Sequence, residues 1–121
     1  MPRVIHFEFP TDEPDRAVKF YEQVFGWQTS HWGGPVDHGL ATTGPDDQPG
    51  INGAIARRRN LKTVCDTIDV PLVDDYLQRI VAAGGQPVTP KMSVAGVGSM
   101  AYCTDMEGAV FGIMEFDPTA K

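Results

Sequence analysis

Two helical stripes of the same spacing, each closed by glycine and each followed by short extended segments, limit this chain's possible folds more than anything else in it. Ala17, Phe20, Tyr21, Val24 and Phe25 recur at i, i+3, i+4, i+7 and i+8, and Gly26 follows them. Val73, Tyr76, Leu77, Ile80 and Val81 repeat that stripe, and Gly84-Gly85 close it. Sliding the chain by about 59 residues lays Phe9 on Ile68, Tyr21 on Ile80, Gly26 on Gly85 and Gly53 on Gly112 without a gap. Pattern and matched glycines, rather than identity, mark an internal repeat.

Each stripe is flanked by strand-like segments. Arg3 to Phe9 is β-branched and aromatic and is expected to stop at Pro10, where a central strand loses its donor. Asp12 offers an N-cap oxygen, with Pro14 in the tolerated first turn and Glu13 and Asp15 adding favourable charge. Three extended segments follow, at Trp27 to Trp32, Asp37 to Thr43 and Ile51 to Ala56, separated by Gly33-Gly34-Pro35 and Gly44-Pro45-Asp46-Asp47. The second half reads Thr63 to Val70, helix, Gln86 to Met92, Gly98 to Thr104 and Ala109 to Phe116. The expected fold is α+β, two tandem βαβββ modules over residues 3–58 and 62–117 with a linker at 57–62, curling into an open barrel or cup. A ferredoxin-like fold would place two strands between the helices, where four segments stand here.

Charge narrows the function. Sixteen acids against ten Lys and Arg give −6, so no nucleic-acid footprint is expected. The run Arg57, Arg58, Arg59 and Lys62 reads as a solvated linker. No apolar run reaches the ~20 residues of a membrane span, and Met1 to Pro14 lacks the form of a secretory leader, so a cytoplasmic protein is expected. Cys65 and Cys103 form no CxxC or zinc-ribbon spacing and read as buried thiols.

Strand alternation then sorts the first strand. Phe7 and Phe9 should face the helix, and His6 and Glu8 the concavity. His6 has two readings: a histidine hydrogen-bonded to Glu8 or backbone, or a general acid or base whose ordinary pKa of about 6.5 suits proton transfer. Weaker candidates are His31 and His38, and Trp27 and Trp32, which read either as apolar walls for a ligand or as core or dimer packing. Glu115, of opposite parity to Gly112, should point away from the concavity.

Val4-Ile5-His6-Phe7-Glu8-Phe9, Ala17 to Trp27, Asn52-Gly53-Ala54-Ile55 and above all Asp105-Met106-Glu107-Gly108-Ala109-Val110-Phe111-Gly112 resemble the vicinal oxygen chelate superfamily, and small glyoxalase-like proteins within it. The resemblance implies catalytic roles for His6 and Glu8 and a ligand site lined by Gly53, Cys65, Tyr102, Gly112 and Met114. Metal-using members carry ligands on the first and fourth strands of each module. Here His6 matches one such position, Gly53 and Gly112 match two that glycine cannot fill, though a strand glycine can equally mark a bulge or a close backbone approach, and the last falls on Cys65 or, with a longer loop, Thr63. A divalent ion such as Zn, Ni or Mg is therefore implied by the family while the site looks degenerate, with Cys65 the other possible ligand.

The resemblance also implies a homodimer and a small-molecule ligand. Two functions follow: a lyase or isomerase acting on a small carbonyl or thioester-like metabolite, or a bleomycin-resistance-type protein sequestering a cationic aromatic antibiotic without catalysis.

Overall fold

The computed structural model describes residues 2–31, 38–58 and 63–121. The element order is β1 (Val4–Thr11), α1 (Pro14–Phe25), β2 (Gln28–His31), β3 (His38–Thr42), β4 (Gly53–Arg57), β5 (Cys65–Asp69), α2 (Val73–Ala82), β6 (Gln86–Pro87), β7 (Met92–Val94), β8 (Gly98–Thr104) and β9 (Val110–Phe116). Both halves thus carry a strand, a helix and a run of further strands, as the repeat requires. The chain divides into two compact units: His6–Cys65, and Asp66–Lys121 together with the amino-terminal residues through Ile5.

In the first unit β1 pairs parallel with β4, and β4, β3 and β2 pair antiparallel in turn. Phe7, Ala41 and Ile55 are buried on the α1 side, where Phe9, Ala17, Val18, Tyr21 and Trp27 pack on them. Trp27 lies nearly parallel to Tyr21, with ring centroids 4.9 Å apart. It packs against the core beneath α1, the core-packing alternative of its two readings; Trp32 lies outside the described residues. β1 runs past Pro10, since Pro10 still pairs with Ala56 and the Arg58 N–H donates to the Thr11 carbonyl at 2.7 Å. The strand needs the acceptors there, and proline keeps its carbonyl.

The N-cap of α1 is Glu13 rather than the expected Asp12. Thr11 Oγ1 accepts from the Glu13 N–H, while Asp12 turns to the basic run: its carbonyl accepts from Arg57 and its carboxylate lies 3.7 Å from Arg58 Nε. Arg57, which ends β4, and Arg58 dock on the end of β1 while staying exposed, as the solvated reading of the run expects; Arg59 to Lys62 lie outside the described residues. Gly26 closes α1 in the left-handed conformation at φ 72°, its N–H donating to the Glu22 carbonyl.

In the second unit β5 pairs parallel with β9, β9 antiparallel with β8, and β8 with both β6 and β7. The single segment expected over Gln86 to Met92 is two short strands, because Pro87 and Pro90 interrupt the ladder. Val70, Val73, Ala101 and Ile113 form the buried core, with Ile68, Tyr76, Leu77, Ile80 and Phe111 around it. α2 ends as the glycine pair predicts. The Gly85 N–H donates to the Ile80 carbonyl and the Gly84 N–H to that of Val81, a Schellman closure with Gly84 at φ 100°.

Candidate functional site

The core assignments fix which face each strand residue occupies. In the first unit Phe7 and Phe9 lie on the α1 side, so alternation places His6 and Glu8 on the opposite face, both half-buried. Glu8 is in register with Ala54, and Ala54 with Leu40. The side chains of His31 and His38 lie outside the described residues.

Gly53 is not on that face. It is in register with Phe7 and Ala41, and a Cβ built on it would overlap the Phe7 carbonyl oxygen and stand 2.5 Å from Phe7 Cγ. Gly53 exists because the Phe7 backbone and ring press against it on the helix side, which corrects its expected place in a ligand site. Gly112, its supposed counterpart, has the other orientation. It is in register with Thr67 and Tyr102, and Ile113 beside it takes the core side. The repeat slips by one residue before its fourth strand, so Gly112 matches Ala54, and Ile113 matches Ile55.

The face of the second unit opposite α2 is therefore built from two cross-strand rows. One is Thr67–Gly112–Tyr102; the next is Asp69–Met114–Met100–Met92. A Cβ at Gly112 would stand 3.1 Å from Thr67 Oγ1, tighter than an ordinary contact, and 3.5 Å from the Tyr102 ring, so a residue without a side chain is what lets hydroxyl and ring close on this strand. Thr67 is 1% exposed, and its Oγ1 has no hydrogen-bond partner, alone among the buried side-chain polar atoms of the described residues. A buried hydroxyl left so costs about 1–3 kcal/mol, which a carbonyl or hydroxyl oxygen beside it would recover.

The structure brings Tyr102, Gly112 and Met114 to one face, and Cys65, buried, shares the parity of Thr67 along β5. Thr67, Met92 and Met100 were missed by sequence reasoning. The available signal was that Thr67 falls on Glu8 under the repeat. Glu115, on the α2 side as its parity predicts, accepts the Val73 N–H at 2.9 Å and caps α2, whose own N-cap residue Leu72 has no side-chain oxygen. Cys103 is buried with the core strands, and that burial pushes its thiol up.

A divalent ion needs several converging oxygen, nitrogen or thiolate donors. Among the described residues no three His, Cys, Asp or Glu side chains come together as such a shell. The facing positions on β4 and β9 are Ala54 and Gly112, neither of which has a donor. The described donor set does not fit the ion that metal-using glyoxalases hold, and no step is drawn through one.

These elements, in this order and on these faces, are those of a glyoxalase-like α+β fold. The chain belongs to the Glyoxalase/Bleomycin resistance protein/Dioxygenase superfamily, whose family model matches residues 3–113. It is 29% identical over 118 residues to "Putative glyoxylase CFP32" of Mycobacterium bovis and, equally, of Mycobacterium tuberculosis, which covers 89% of this chain and 43% of each relative. The chain thus spans less than half the length of the curated relatives it matches. Among solved structures it resembles methylmalonyl-CoA epimerase in complex with methylmalonyl-CoA and NH4+, with a TM-score of 0.73 and 12% identity over 100% of this chain and 99% of that one. The methylmalonyl-CoA epimerase of Mycobacterium tuberculosis superposes with a TM-score of 0.68 and 14% identity, covering 95% and 88%. Among the described residues no helix is long and apolar enough to cross a membrane.

Proposed function

We propose that this protein binds a small carbonyl or thioester-like metabolite and isomerises it by proton transfer, without a divalent ion as Lewis acid. The observation that carries the binding part is the partnerless hydroxyl of Thr67 beside the side-chain-free Gly112. A site for a small organic molecule is mostly apolar with a few aimed polar groups, and Tyr102 in the row of this hydroxyl with Met114 in the next row gives that composition. A substrate carbonyl accepting from Thr67 becomes more acidic at its α-carbon, because the hydroxyl stabilises the charge that develops on oxygen. We infer separately that His6, with Glu8 two residues along the same strand and face to orient it, is the acid or base of the first unit. The epimerase likeness supports this class of chemistry as an analogy of fold.

The test is α-proton exchange in D2O, followed by NMR, on a 2-methylacyl thioester and on the hemithioacetal of methylglyoxal, with and without added Zn2+, Ni2+ or Mg2+. Exchange that is indifferent to the ions and falls at least 100-fold in His6→Gln is expected, and weaker binding in Thr67→Val tests the binding part by itself. Absence of exchange on both substrates in every arm would refute the enzymatic reading. In that event the net charge of −6 favours the second one, capture of a cationic aromatic antibiotic, which predicts a raised melting temperature with such compounds. Assembly as a homodimer is part of the proposal, and a mass twice that of the 13.2 kDa chain in light scattering tests it.

A further inference from the structure

Three of the chain's five methionines stand in one row. Met92 is in register with Met100, and Met100 with Met114, across β7, β8 and β9. All three are half-buried and lie on the face opposite the α2 core, because Ala101 and Ile113, next to them in sequence, are the residues buried in that core. Strands favour β-branched and aromatic side chains, so three adjacent methionines answer a different demand. Unbranched, polarisable and rotatable about three bonds, methionine moulds itself to a flexible apolar partner. Val94 and Phe116, which meet at Gly98 in the neighbouring row, extend the apolar lining on one side. On the other side, two residues back along β9, lies Gly112 with the Thr67 hydroxyl.

We propose that the ligand of this face is a carbonyl compound with an unbranched apolar tail, its oxygen at Thr67 and its tail lying across the strands over Met114, Met100 and Met92. The inference rests on the binding role proposed above for Thr67 and adds the substrate class. The row spans two inter-strand steps, roughly 10 Å, which an extended chain of about eight carbons covers. The polar and apolar rows are separated by two residues of β9, about 7 Å, so one molecule that reaches from the Thr67 hydroxyl to Met92 needs a chain of about fourteen carbons.

The experiment uses the full chain with 13C-labelled methionine ε-methyls and 15N-labelled backbone, titrated with straight-chain primary amides from acetamide to tetradecanamide. Met106, 72% exposed on the turn between β8 and β9, serves as the internal control. The expected result has three parts. The Gly112 amide shifts with every member; affinity rises about twofold per added methylene, as for a chain half buried on protein. The methyls of Met114, Met100 and Met92 shift in the longer members while Met106 stays still. Met100→Gln should flatten the dependence on length and leave the butanamide affinity within about twofold of the parent. A Gly112 shift with no gain beyond butanamide and unmoved methionine methyls would overturn the tail while the Thr67 anchor stands. An unmoved Gly112 amide across the whole series would overturn the anchor, and the tail with it.

Discussion

Alanine at each of the two fourth-strand glycines separates structural necessity from functional space. Neither Gly53 nor Gly112 is among the glycines with positive φ, so alanine meets no backbone strain at either position and only its surroundings count. At Gly53 the new methyl would overlap the carbonyl oxygen of Phe7 and lie 2.5 Å from its ring. Phe7 is 8% exposed and wedged between Phe9 and Trp27, whose ring centroids lie 4.7 and 5.7 Å away, so neither backbone nor ring can retreat cheaply. Overpacking of this kind costs about 3 kcal/mol. At Gly112 the nearest atom is the Thr67 hydroxyl at 3.1 Å, which needs to yield only a few tenths of an ångström. The strain there is offset by the ~0.4–1 kcal/mol that alanine gains over glycine by restricting the unfolded chain, so the net change stays within about 1 kcal/mol. Urea denaturation followed by tryptophan fluorescence measures both. Gly53→Ala should lower the midpoint by about 1 M or more, and Gly112→Ala should move it by less than about 0.5 M while setting a methyl against the Thr67 hydroxyl and abolishing amide binding. Equal losses in the two variants, or a Gly53→Ala protein as stable as the parent, would refute the assignment of the two glycines to opposite faces.

Thr67→Val keeps the shape and removes the partnerless hydroxyl, so it should raise stability by about 1 kcal/mol; a loss of that size would mean the hydroxyl is satisfied in solution. Glu115→Ala leaves the Val73 N–H without its acceptor and should cost about 0.5–2 kcal/mol, with Glu115→Gln recovering most of it in the same denaturation assay. Cys103, its thiol pushed up by burial, should resist iodoacetamide at pH 8 until denaturant is added, as peptide mapping of the alkylated protein would show. The Thr119 hydroxyl and N–H both donate to the Asp117 carboxylate and hold its pKa below the usual aspartate value. The turn they stabilise should persist as pH falls through the ordinary aspartate range and open only below it, which the Thr119 amide shift would report.

The fold was legible where a signal is carried by residues close in sequence. The two apolar stripes, the closing glycines and the alternation of Phe7 and Phe9 with His6 and Glu8 are local patterns, and the helices and first-strand faces followed from them. The cap of α2 was not legible, because the oxygen that serves Leu72's helix end comes from Glu115, more than a hundred residues from the start of the chain and on the last strand. Within the candidate site, Gly53 was misplaced for a sharper reason. A period of two makes face assignment all or nothing, so one residue of slip between repeats moves a side chain from one side of the sheet to the other. Matching glycine to glycine hid that slip: Gly53 and Gly112 coincide in sequence for unrelated causes, the first a close approach of the Phe7 backbone, the second the closeness of the Thr67 hydroxyl and the Tyr102 ring.

What carries chemistry on the second unit exists only once strands are paired. Thr67, Gly112 and Tyr102 come from three strands, and so do Met92, Met100 and Met114; no stretch of sequence holds either row. Pairing also explains how a fold of this family can change what its face binds and keep its core. The core side of β9 is held by Ile113 and Phe111, and the alternate positions Gly112 and Met114 bear no part of that packing. Substitutions there change what the face binds at little cost in stability, since burial against α2 is untouched. A donor at position 112 would tie the face to an ion; glycine there, beside a hydroxyl and a row of thioethers, suits an organic ligand instead. Gly112→Glu is the converse substitution: its binding of Zn2+ or Ni2+ would have to draw further ligands to this face, and with Thr67, Tyr102 and Met114 as the neighbours it should gain none.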